Sequence, residues 1–229
     1  MQTPPGRRER RRERVRGALL DAAMVLFAER GLHGTRVEDI TQRADLGKGA
    51  FYNYFESKDA LTSELLLTAI EHLEREYLVA AAEGGVEARI EALVRAHDRF
   101  FAEHPEYAVL FHQARGLLQV ERADPSKLRR IFGEYLARIG ARLHPEGDGA
   151  ISAEERMNVA ALVVGAIAGY RSYCLAAGLA PVVGTVAGPL ASWLPAHLAG
   201  LVGAGSKSEP GGKDEPGGNG ERGRGEDGE

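Results

Sequence analysis

From Gly31 to Lys58 the chain reads GLHGTRVEDITQRADLGKGAFYNYFESK, in which two short segments flank the three residues Asp45-Leu46-Gly47. Val37, Ile40 and Ala44 recur at three- and four-residue intervals, placing apolar side chains on one face of a helix barely two turns long. Thr35-Arg36-Val37-Glu38 fits a capping box, so this helix is expected to open at Thr35. Asp tolerates left-handed backbone and Gly suits both turns and helix starts, so 45–47 should close one helix and begin the next, from about Lys48 to Phe55, with Leu46 as an anchor into the core. Upstream, Val15, Ala18, Leu19, Ala22, Ala23, Leu26 and Phe27 share one helical face that stops at Gly31. Two short helices joined by a three-residue turn and braced by a longer one form a helix-turn-helix, whose second helix can enter the major groove of DNA.

Downstream the pattern stays helical. Ser57 should cap a fourth helix with Leu61, Leu65, Leu66, Ala69, Ile70, Leu73 and Tyr77 on its buried side, ending at Gly84-Gly85. Further helices are expected near 86–103, 106–120, 125–143, 152–178 and 189–202, separated by His104-Pro105, Asp124-Pro125 and the polar stretch 145–149, with Pro195 kinking the last. The fold class is therefore all-α, about nine helices: a basic arm (1–13), a three-helix DNA-binding head (14–60) and a helical body (61–203). Residues 204–229 should form a disordered tail, because beyond 206 they carry no aliphatic or aromatic side chain.

The net charge of −4 hides an asymmetry: residues 1–58 carry 12 Lys plus Arg against 8 Asp plus Glu, and the first 16 residues alone hold seven arginines and two glutamates. Positive charge collects beside the helix-turn-helix, as phosphate binding requires, although a solvated, partly helical leader would show the same composition. Cys174 is the single cysteine, which excludes an internal disulfide or a multi-cysteine metal site and suits a reducing cytoplasm. The most apolar stretch, Val159 to Leu179, is interrupted by Arg171 and reads as a buried helix rather than a membrane span. No phosphate-cradling glycine loop, His or Cys metal spacing, or nucleophile elbow is present, so neither an enzyme nor a cofactor is expected.

Phe27, Gly31, Thr35, Asp39-Ile40, Gly49, Tyr52, Tyr54-Phe55 and Lys58 together resemble the DNA-binding domain of the TetR (tetracycline repressor) family, over about residues 14–62. The chain departs from that pattern at Arg36, where a second threonine is common, at Asp45, where a turn glycine is common, and at Gly47, where a serine cap is common. In this frame Lys48, Tyr52 and Lys58 are expected on phosphates, with Thr35, Arg36 and Tyr54 as further contacts. Gly49 and Ala50 would allow close approach to base edges, Asn53 would pair with a base, and Phe51 and Phe55 would fill the head's core.

The resemblance implies a dimeric repressor, released from a two-fold-related operator when a small molecule binds the body. Helices 152–178 and 189–202, rich in Ala, Gly, Val and Leu, are the expected dimer surface, although burial within one subunit would have the same composition. Phe101, Tyr107, Phe111, His112, Arg115, Tyr135, Tyr170 and Tyr173 are the candidate effector pocket, against the plainer reading of ordinary core and surface residues. A DNA-organising or cell-cycle protein with the same head and no effector would carry the same N-terminal signals.

Overall fold

The computed structural model describes residues 6–78, 84–118, 126–144, 151–182, 184–185 and 187–193. Every regular element among them is helical. The tail 204–229, Pro195 and the segment 194–202 lie outside the described residues.

Helix α1 (Arg7–Gly34) is longer than its apolar stripe, because the arginine-rich leader continues it toward the N-terminus. Its regular course breaks at Gly31, where φ is 77°, a backbone region open to glycine and costly to other residues. α2 (Val37–Arg43) follows, then a 3₁₀ segment (Lys48–Asn53), shorter and tighter than the helix expected from Lys48 to Phe55. α3 (Lys58–His72) starts at Ser57, whose Oγ accepts from the Ala60 N–H at 3.0 Å, as expected of an N-cap. It ends in a π-helical turn, Leu73–Tyr77, closed by the Leu78 N–H donating to the Leu73 carbonyl five residues back.

The body is built from α4 (Val86–Glu103), α5 (Pro105–Leu117), α6 (Ser126–Leu143) and α7 (Ala153–Ala176), with 187–193 also helical. α4 begins after Gly84, which has φ 94°, so the expected break at the glycine pair is present. Pro105 sits in the first turn of α5, where its missing N–H costs nothing. α6 lies along α7 so closely that a β-carbon at Gly140 would stand 2.7 Å from the Arg156 carbonyl oxygen.

α7 departs from the expectation of a buried helix. Val159, Ala160, Val163, Ile167 and Cys174 face inward, whereas Met157, Leu162, Tyr173 and Leu175 are exposed. By length and composition it is the one helix among the described residues apolar enough to cross a membrane.

Head and body share one apolar core. Leu19, Leu26 and Phe27 of α1 belong to the same buried cluster as Leu66 and Ile70 of α3 and Leu110 and Ala114 of α5. α5 packs along α1, and α3 packs on α5 and α6. Each fully buried Leu or Phe contributes roughly 1.5–3 kcal/mol, so a shift of α3 or α5 relative to α1 disturbs several such contacts together.

Candidate nucleic-acid interface

The turn between α2 and the 3₁₀ segment is a Schellman motif. The Leu46 N–H donates to the Thr41 carbonyl at 2.9 Å and the Asp45 N–H to the Gln42 carbonyl at 3.2 Å, with Asp45 at φ 55° in the left-handed position usually given to glycine. Leu46 is half-buried against the core, as the anchor reading requires. Beyond it, Phe51 is fully buried and Phe55 nearly so, their ring centroids 5.6 Å apart. The two rings hold the recognition segment in place from below and leave its outer side open.

That outer side carries Lys48, Gly49, Tyr52 and Asn53, all exposed, with Tyr52 at 62%. Ala50 is half-buried beside them, and a β-carbon at Gly49 would meet nothing within 4 Å, so the surface is open at that point. The Lys48 ammonium pairs with the Glu38 carboxylate of α2 at 3.0 Å. This pairing raises the lysine pKa and lowers that of Glu38, so both groups are held charged. Arg36 is exposed at the start of α2, and its backbone N–H donates to the Asp39 carboxylate at 2.9 Å.

Three expectations change. Thr35 does not cap α2, because the N-cap is Arg36. Its side chain is 1% exposed and its hydroxyl donates to the Gly31 carbonyl at 2.8 Å, so it closes the end of α1 and offers DNA no side-chain contact. Lys58, expected on a phosphate, turns inward: its ammonium donates to the carbonyls of Leu32 at 2.7 Å and Thr35 at 2.8 Å, and burial lowers its pKa. Tyr54 is half-buried and packs on the core.

In the body, Phe101, Phe111 and Tyr135 meet across α4, α5 and α6, with ring centroids 5.4 Å apart for Phe101–Phe111 and 6.2 Å for Phe111–Tyr135. Tyr107 stacks on Phe100 at 5.3 Å. His112 meets the Ser172 hydroxyl at 3.0 Å, and the Tyr170 hydroxyl accepts from the Val182 N–H at 3.1 Å. Arg115 is half-buried on α5. Tyr173, at 80% exposure, stands outside this cluster on the free face of α7, which removes it from the pocket candidates.

Sequence reading missed His97, Asp98 and Gln113. His97 is fully buried: its Nδ1–H donates to the Leu93 carbonyl at 2.8 Å, which leaves Nε2 to accept from the Tyr135 hydroxyl. Desolvation pushes its pKa down to about 4 and pushes the Tyr135 hydroxyl up. Asp98 pairs with Arg171 at 3.5 Å and accepts from the Gly184 N–H at 3.0 Å. The available signal was periodicity, since Ile90, Leu93, Val94, His97 and Phe101 are one helical face and His97 is the polar member of it.

A buried aromatic pair beneath an open, cation-bearing segment, set by a tight turn from a short preceding helix, defines a helix-turn-helix DNA-binding protein. Residues 19–65 match the family model for bacterial regulatory proteins of the TetR family. Among curated proteins, the transcriptional repressor KstR2 of Rhodococcus jostii is 36% identical over 109 residues, 47% of this chain and 53% of that protein. The repressor DhaR of a Mycobacterium species is 43% identical over 61 residues, 27% of this chain and 31% of that one. The chain thus spans about half or less of the length of these relatives. Among solved structures, a TetR-family regulator from Streptomyces coelicolor aligns with a TM-score of 0.53 at 25% identity, covering 87% of this chain and 99% of that one. FadR of Bacillus subtilis, solved with stearoyl-CoA, aligns at 0.59 and 16% identity over 78% and 96% of the two chains, a likeness of fold.

Proposed function

We propose that this protein is a homodimeric transcriptional repressor that leaves its operator when a small apolar molecule enters the body. The observation that carries the reading is the recognition segment, with Lys48, Gly49, Tyr52 and Asn53 exposed over buried Phe51 and Phe55. Arg36, Lys48 and Tyr52 serve phosphates, Gly49 and Ala50 permit close approach, and Asn53 faces a base. One head reads few base pairs, so specificity requires two, about 34–36 Å apart in successive major grooves.

The exposed apolar face of α7 supports the dimer, since Met157, Ala161, Leu162 and Gly165 lie on it at helical spacing. The aromatic cluster around Phe101, Phe111 and Tyr135 supports an effector with a large apolar part, and the stearoyl-CoA bound by the FadR neighbour supplies a first probe. A repressor of this kind works in the cytoplasm. The DNA-organising alternative is not favoured, because KstR2 and DhaR are named as repressors.

Genome-wide mapping of bound sites, followed by titration of stearoyl-CoA into the purified complex with a recovered site, tests the reading. Discrete two-fold-related sites that are released by the acyl-CoA are expected. Binding without sequence preference would overturn the regulator reading, and retention at saturating acyl-CoA would exclude that effector class.

A further inference from the structure

The first turns of α1 are built as a charged surface that the helix-turn-helix does not require. From Arg7 to Arg14 the helix carries six arginines and two glutamates, all exposed. At about 100° per residue the arginines fall within an arc of about 200°, and Glu9 and Glu13 occupy the remaining side. Arg16 lies on the glutamate edge. It pairs with Glu64 of α3, and its guanidinium sits 5.7 Å from the centroid of the Phe55 ring, just past the recognition segment. Arg16 therefore pins the glutamate edge toward α3, the helix that leads to the body, and turns the arginine face outward from it. Between Arg16 and Arg7 the helix extends about 14 Å at about 1.5 Å per residue, the length of several base-pair steps.

We infer that the arginine face of residues 7–14 is a second DNA surface, which grips phosphates flanking the half-site read by the recognition segment and supplies sequence-independent, salt-sensitive affinity. The inference rests on the DNA-binding reading above and adds to it a contact outside the helix-turn-helix. Two features select a phosphate backbone as the partner. Arginine covers more than half of the helix circumference, suiting a repeating anion better than a single ligand, and Arg16 ties the same helix to Phe55, the buried ring beneath the recognition segment. The Arg16–Glu64 pair also makes the arm move with α3, so both surfaces shift together.

The test uses the full chain and a labelled 30-base-pair duplex recovered by the protein from a random library. The dependence of affinity on salt is measured for the natural sequence, for the combined Arg7→Ala, Arg8→Ala, Arg11→Ala and Arg12→Ala variant, and for the same four positions changed to lysine. With about 0.9 of log–log slope per phosphate contact, the alanine variant is expected to lose about two or more units of slope. Its hydroxyl-radical footprint should contract at the outer edges of the site, while the lysine variant keeps both slope and footprint. An unchanged slope and footprint in the alanine variant, with tight binding retained, overturns the inference and leaves the recognition segment as the DNA surface. Failure of the natural chain to recover any duplex overturns the DNA-binding reading itself.

Discussion

The side-chain oxygen of Gln113, on α5, accepts a hydrogen bond from the backbone N–H of Leu32 at 2.6 Å. That amide follows the break at Gly31, where α1 stops supplying regular partners, so a residue of the body completes the last turn of α1. Gln113→Leu removes the acceptor and leaves the amide unsatisfied, at a cost of about 1–3 kcal/mol. Urea unfolding should register the loss, and amide exchange at Leu32 should accelerate more than exchange in α7.

Lys58 acts on the same turn from the other side, through the carbonyls of Leu32 and Thr35. Lys58→Met should lower stability by about 1–3 kcal/mol while leaving the salt dependence of DNA binding unchanged. A phosphate contact would show the reverse pattern, a shallower slope at full stability, so the two measurements separate the inward lysine from the DNA-facing one expected from sequence.

The Lys48–Glu38 pair places a carboxylate beside the cation offered to DNA. A phosphate arriving at Lys48 must displace that carboxylate and is repelled by it. Glu38→Gln is therefore expected to tighten DNA binding, by up to about fivefold given the modest strength of exposed pairs. Lys48→Ala should weaken it and reduce the salt slope by about 0.9. Titration of a labelled duplex at several salt concentrations checks both.

His97 links the body's stability to pH. Its folded-state pKa of about 4 lies below the ordinary value of 6.5, so the unfolded chain takes up a proton first as pH falls. The stabilising contribution is complete above pH 6.5 and declines toward pH 4, by roughly 3 kcal/mol across that window at 1.36 kcal/mol per unit. Denaturant unfolding at pH 7 and pH 4.5 should show a smaller acid loss for His97→Gln than for the natural chain.

The head was readable from its sequence because its signals are local. Asp45-Leu46-Gly47 names its own turn, and the left-handed Asp45 follows from the tolerance of that side chain for such backbone. Phe51 and Phe55 repeat at helical spacing and are buried as expected. What escaped turned on contacts that residue spacing alone does not supply. Thr35 looks like a helix cap until the Gly31 carbonyl comes within reach, and Lys58 looks like a phosphate ligand until the end of α1 folds against it. His97 lies on the apolar face of α4, and its hydrogen-bond partner Tyr135 stands 38 positions away. Tyr173 has the composition of a pocket residue and the position of a surface one.

The π-helical turn at Leu73–Tyr77 holds one residue more than an α-helical turn would. Leu78, which closes the turn, is therefore displaced by about 100° in phase from an uninterrupted α3. Tyr77 owes its place against His72 and Phe100 to that extra residue. A single-residue deletion within the turn would thus act as a change of phase, swinging Tyr77 off the aromatic cluster without altering its chemistry.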